Sequence, residues 1–344
     1  MNCTFRALAA PFLILAMAGS TWAALVQPGD IVAPQFDNFG TVIVIHPNTH
    51  SRELLSLAPN VGTGPAMSRP ESIVRLPDGN FLVADTLSHE ALTRINSQTG
   101  DRTDLASAFL GTGAWGTPWS VLLPQAGNVI AVFDGFVARV DLSNGNRTVI
   151  SGKGVGSGPT FAFNGAGGAA LDLLGHVVVG VYDQPAVYDI DLTTGARSIL
   201  SGLGVGSGPA LSHLLDVVVL PNGQIVAEGR LETPLTNQLF RIDPVTGNRT
   251  LISSGSYPNN EYERLALGTD GQLLGSVPSL SAVFSIDPNT GARTLISGNG
   301  LGSGPALFWG DMVQIPVPEP SSVALLGVSA TLLAGIRLVQ MRRI

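Results

Sequence analysis

Lysine is almost missing from this sequence: Lys153 is the one copy, and only 12% of the 344 residues are charged. With a formal net charge of −7, no basic stripe exists to neutralise phosphates, which excludes nucleic acid as a partner. Cysteine is as scarce. Cys3 stands alone inside a segment that reads as an export signal, so the exported chain has no disulfide, thiol nucleophile or thiolate metal site. Aromatic residues make up 6%, which leaves the core to Val, Leu, Ile and Ala. The histidines, His46, His50, His89, His176 and His213, form no HxH or HExxH pair, and no GxSxG elbow occurs. No catalytic residue is legible.

Glycine and proline are abundant instead, at 42 and 23 copies. That much punctuation suits short strands joined by tight turns rather than helices. Residues 1–23 carry one early positive charge (Arg6), an apolar stretch from Ala7 to Ala18, and small residues Thr21 and Ala23. This is the pattern of a secretory signal cleaved before Ala24. At the other end, an apolar run from Val323 to Ile336 is followed by Arg337, Arg342 and Arg343. Extended to Met341 with Arg337 snorkelling, it is expected to cross a membrane with its arginines cytoplasmic.

Val317-Pro318-Glu319-Pro320, the apolar run and the arginine cluster resemble, in that order, the PEP-CTERM sorting signal of Gram-negative bacteria. Arg337 interrupts the cluster, which is thin. The resemblance covers residues 317–344. It implies recognition of Pro318, Glu319 and Pro320 by an exosortase-type processing enzyme, transient inner-membrane anchoring aided by Arg342 and Arg343, and delivery to the cell surface or extracellular matrix.

Between the two ends one phrase recurs six times, as in VFSIDPNTGARTLISG: an alternating strand, a turn, an arginine and a second alternating strand. The arginines are Arg52, Arg102, Arg147, Arg197, Arg249 and Arg293. Period-2 alternation marks the strands, and Asp-Pro-x-Thr-Gly supplies turn chemistry. A second hairpin precedes each phrase, clearest in Ser72–Asp85 and Val217–Glu228. Four strands per unit, six times over, predicts an all-β, six-bladed β-propeller of four-stranded antiparallel blades within residues 24–316. Internal blades are expected to begin near Glu71, Trp119, Gly167, Leu215 and Glu263. The first blade lacks its innermost strand, and Asp311–Ile315 or Leu25–Asp30 is expected to supply it and close the ring. The units loosely resemble NHL-type and lactonase-type propeller repeats.

The stretch SGKGVGSGP (Ser151–Pro159) has the glycines and lysine of a phosphate loop. Its sisters SGLGVGSGP (Ser201–Pro209) and SGNGLGSGP (Ser297–Pro305) lack the lysine, the flanks are strands, and no GK[ST] follows. The three read as connectors between blades.

Propeller ligands sit at the axis, where the inner strands converge. Glu71, Asp216, Glu263, Arg264 and Asp311 are the candidate ligand-binding residues there. Converging carboxylates suit Ca²⁺, the one cofactor this sequence suggests. Trp119 and Trp309 lie near the same face, for packing or for stacking on a sugar. Asp85, Asp134, Asp183 and Glu228 recur after second strands, where Asp serves a turn. The reading that follows is a monomeric, exported, non-catalytic binding module for exopolysaccharide or surface proteins. The alternative is a metal-dependent lactonase- or lyase-like propeller.

Overall fold

A computed structural model describes residues 26–124, 129–160, 166–210, 213–232, 235–253, 264–308 and 310–317. The export signal, the sorting motif with Pro318, Glu319, Pro320, Arg342 and Arg343, and also Glu263 and Trp309, lie outside the described residues.

The described residues form six four-stranded antiparallel sheets. The first blade holds β1 (Ile31–Pro34), β2 (Val42–His46) and β3 (Ser51–Ser56). The second runs β4 (Pro70–Arg75), β5 (Phe81–Asp85), β6 (Ala91–Ile95), β7 (Arg102–Ser107). The third runs β8 (Pro118–Leu122), β9 (Val129–Phe133), β10 (Phe136–Val140), β11 (Arg147–Gly152). In the fourth are β12 (Ala166–Leu171), β13 (Val177–Val181), β14 (Ala186–Ile190) and β15 (Arg197–Gly202). In the fifth are β16 (His213–Val219), β17 (Ile225–Glu232), β18 (Leu235–Ile242) and β19 (Arg249–Ser253). The sixth has β20 (Arg264–Leu267), β21 (Leu273–Val277), β22 (Ala282–Ile286) and β23 (Arg293–Gly298).

The last strand, β24 (Val313–Gln314), pairs with β1 through Ile31↔Gln314 and Val32↔Val313. Ile315 N–H donates to the Asp30 carbonyl and Gly29 N–H to that of Ile315. The C-terminal of the two expected segments therefore closes the ring, and Gln27–Asp30 forms the turn beside it. Closure removes the open sheet edges that a linear array would have to cap. Among the described residues no helix is long and apolar enough to cross a membrane.

The core lies between blades. On β9, Val129, Ala131 and Phe133 pack against Leu82, Ala84 and Leu92 of the second blade, while Ile130 and Val132 pack against Val177 and Val179 of the fourth. Period-2 alternation thus feeds two interfaces from one strand, which is why the middle strands read as continuous apolar runs.

The glycine-rich stretches are indeed connectors, and each clasps an arginine of the next blade. Arg197 donates to the Ser151 hydroxyl (2.8 Å), the Val155 carbonyl (3.1 Å) and the Pro159 carbonyl (2.9 Å). Ser151 Oγ passes its own hydrogen to the Gly195 carbonyl. Arg102, Arg249 and Arg52 repeat this on Ser56, Ser201 and Ser297. A Cβ on Gly156 would stand 1.9 Å from the Gly195 oxygen, so only glycine lets connector and turn meet. Lys153 occupies a left-handed turn position (φ 50°), like Leu203 and Asn299 in the sister copies. Its ammonium lies over the Phe136 ring. These glycines form turns between strands, not a cradle at a helix N-terminus.

Candidate functional site

Along the axis one residue per blade occupies the same place. Ser72, Ser120, Gly168, Asp216 and Arg264 recur every 48 residues, Asp311 follows after 47, and all six line one cavity of ≈ 210 Å³. In β4, β8, β12 and β16 the register with the second strand shifts at or just before this position. A bulge of this kind re-aims the side chain that follows it, here toward the axis.

The ring ties each inner strand to the next. Asp216 accepts the Val217 N–H (2.8 Å) and, across the blade boundary, the Leu265 N–H (2.9 Å). Asp311 does the same with Met312 N–H (2.7 Å) and Ile73 N–H (3.3 Å), and also accepts the Ser72 hydroxyl (3.0 Å). Ser72 Oγ accepts the Val121 N–H at 3.2 Å. Blade four carries glycine because Asp216 fills the space: a Cβ on Gly168 would stand 1.5 Å from Asp216 Oδ1.

Among the described residues Arg264 is the one cation in this wall. It pairs with Glu71 and donates to the Leu215 carbonyl (3.1 Å). The second Glu71 oxygen accepts the Thr86 hydroxyl at 3.1 Å. Three acids against one guanidinium set the electrostatics. Burial pushes Asp216 up to about 7, against the pull of Arg264. Burial likewise pushes Asp311 up to about 6, against its backbone hydrogen bonds. Glu71 is raised by burial in spite of Arg264. Burial alone would lower Arg264, but Glu71, Asp216 and Asp311 hold it above its ordinary value.

Four of the five expected axial residues, Glu71, Asp216, Arg264 and Asp311, therefore meet in one cavity. Ser72, Ser120 and Gly168 complete the ring and are not evident from residue type; only their spacing marks them. Asp216 and Asp311 serve as strand ties, while Glu71 is taken up by Arg264 and Thr86. Among the described residues the one trio of His, Asp or Glu groups whose ligand atoms all approach within 4.8 Å is Asp172, His176 and Asp189, away from this ring.

The residues after the second strands divide. Asp85 is fully buried and accepts the Ser68 (2.8 Å) and Arg69 (2.6 Å) N–H groups, the loop role expected of it. Asp134 instead accepts the Trp119 indole N–H, fixing that ring at the cavity wall. Glu228 is buried beside the axis, close enough to act on Arg264.

Six blades of four antiparallel strands closed by the last strand define a six-bladed β-propeller. No protein-family profile matches the chain, and no curated protein does. Among solved structures it is similar to a chain of a nidogen/laminin complex at 11% identity, with a TM-score of 0.61, covering 84% of this chain and 99% of that one. It is also similar to a catalytically inactive virginiamycin B lyase from Staphylococcus aureus with quinupristin, at 10% identity and a TM-score of 0.52, covering 81% and 88%. At such identities the likeness establishes the fold alone.

Proposed function

We propose that this propeller is an exported binding module, displaying its loop faces to exopolysaccharide or surface proteins, with an axis built for closure. The observation that carries this reading is the use of the axial acids: Asp216 and Asp311 each commit both carboxylate oxygens to N–H groups of the inner strands. Polar groups that a hydrolytic propeller would turn toward substrate hold blades together here. Export and sorting rest on the two terminal sequence patterns, with an exosortase-type enzyme acting at Pro318-Glu319-Pro320. The test is binding of the purified protein to an array of bacterial exopolysaccharides and surface-protein fractions, paired with fractionation of cells carrying alanines at 318–320. Saturable binding and retention of the alanine variant at the inner membrane support the reading. Absence of both overturns it.

The second reading, a lactonase- or lyase-like enzyme, is favoured by one observation: Asp216 at about 7 and Asp311 at about 6 line a cavity in the range where carboxyls exchange protons at neutral pH. It requires turnover of lactones or cyclic esters that Asp216→Asn abolishes. Loss of that turnover on chelation would add the metal dependence.

A further inference from the structure

The blades differ at one position that the axial site does not explain; the sixth, for instance, has Ser285 there. At the next-to-last residue of the third strand, the second, third and fifth blades carry arginine: Arg94, Arg139 and Arg241, opposite Leu82, Ile130 and Val226. Arg94 pairs with the turn acid Asp78 of its own blade, and Arg241 reaches the turn of the next blade at Pro288 and Asn289. The fourth blade has Asp189 there, opposite Val178. The turn between the first two strands of that blade has Leu174 where the second blade has Asp78, but carries Asp172 in the place of Leu76 and His176 in that of Asn80.

The cation that other blades carry covalently is thus replaced by a carboxylate, beside a second carboxylate and an imidazole. Asp172, His176 and Asp189 bring their ligand atoms within 4.8 Å of one another. His176 Nδ1 lies 3.0 and 3.2 Å from the Asp189 oxygens. Asp172 Oδ1 accepts the Leu174 and His176 N–H groups at 2.9 and 2.7 Å, which fixes the carboxylate. The side chains of His176 and Asp189 are 28% and 22% exposed, so the group is held by the sheet yet open to solvent on one side.

We propose that Asp172, His176 and Asp189 form a divalent transition-metal site on the side of the fourth blade, with water completing the coordination shell. One imidazole nitrogen with two carboxylate oxygens suits Zn²⁺ or Mn²⁺. Ca²⁺ prefers six to eight oxygens, which three side chains in this setting do not supply. Ligand distances of about 2.0–2.2 Å require the three ligand atoms, now within 4.8 Å of one another, to close on the ion. The site is independent of the axial reading, since none of its residues lines the axial cavity.

The test is isothermal titration of ZnCl₂, MnCl₂ and CaCl₂ into the chelator-treated full-length chain, with Asp189→Arg and His176→Gln alongside. Asp189→Arg restores the residue that three sister blades already hold, so it should fold and keep its circular dichroism. The expected result is one saturable transition-metal site per chain, weakened about 100-fold or more in both variants, with Ca²⁺ much weaker. Failure of Zn²⁺ and Mn²⁺ to bind overturns the proposal, as does affinity unchanged in His176→Gln, or Ca²⁺ binding as tightly as either metal. Should Asp189→Arg misfold, His176→Gln alone decides the matter.

Discussion

Arg264 of the sixth blade is ion-paired with Glu71 of the second, and the first blade, which closes the ring, stands between them. Both side chains are withdrawn from water, with Glu71 3% and Arg264 14% exposed. Removing one partner of a buried pair strands the other charge, at a cost of about 3–5 kcal/mol, whereas replacing both by apolar groups is far milder. Urea unfolding should show Arg264→Met losing stability on that scale and Glu71→Gln/Arg264→Met recovering most of it. Equal losses in single and double variants would mean that the pair does not clamp the closing blade.

Stability should depend on pH in the direction set by Asp216 and Asp311. Their folded pKa values, about 7 and about 6, lie above the ordinary 3.8. Groups raised on folding contribute stability that is complete below the unfolded value and is lost as pH rises through the folded one. Between pH 4 and 7 the native state binds the extra protons, so thermal stability should fall from pH 5 to pH 8, on the order of 1 kcal/mol per pH unit. Asp78, Asp101 and Asp287 are lowered by local hydrogen bonds and act in the opposite sense, but only at more acidic pH. Asp216→Asn/Asp311→Asn should flatten the slope. A wild-type melting temperature that climbs from pH 5 to pH 8 would refute the assignment.

Gly168 and Asp216 make a steric pair. Gly168→Ala drives a Cβ to 1.5 Å from Asp216 Oδ1 and should cost 1–3 kcal/mol by overpacking. Asp216→Gly vacates that space, so the two changes should be strongly non-additive in a double-mutant cycle. Additive losses would place the strain elsewhere.

For the connectors, Arg102→Lys should destabilise by about 2 kcal/mol. The guanidinium donates to Ser56, Val61 and Pro65 at 2.6, 2.9 and 2.7 Å, a spread of acceptors that a lysine ammonium does not span. Lys153→Leu, which copies the sister connector, should stay within about 0.5 kcal/mol and leave nucleotide affinity at zero. Chemical denaturation and fluorescent-nucleotide titration check the two halves.

The blades and their four strands are legible because strand alternation and Pro-Asp-Gly or Asp-Pro-x-Thr-Gly turns are local signals, whereas for the closing strand the sequence leaves two candidates that only the pairing of β24 with β1 separates. The axial ring was legible only in part. Glu71, Asp216, Arg264 and Asp311 stand out as charges, whereas Ser72, Ser120 and Gly168 share no chemistry with them. The clue was the strict 48-residue step of the inner strands. The expected blade starts, Glu71, Trp119, Gly167, Leu215 and Glu263, already keep that step; what they do not show is that the residue after each start is the one turned to the axis. The role of Asp216 was hidden for another reason. A carboxylate that accepts the N–H of a strand 49 residues away leaves no trace in the sequence around it.

The arginine clasps also impose an order of assembly. Arg102, Arg147, Arg197 and Arg249 are each held by a connector that precedes them in the chain, so those four can shut as the chain emerges from the N-terminus. Arg52 is held by Ser297, Leu301 and Pro305, some 250 residues downstream. The first blade must therefore wait, unlatched, for the last connector and for β24. In co-translational terms, nascent chains stalled before residue 297 should be cut by protease in the first blade while the second to fourth resist; uniform resistance would show that the ring needs no such latch.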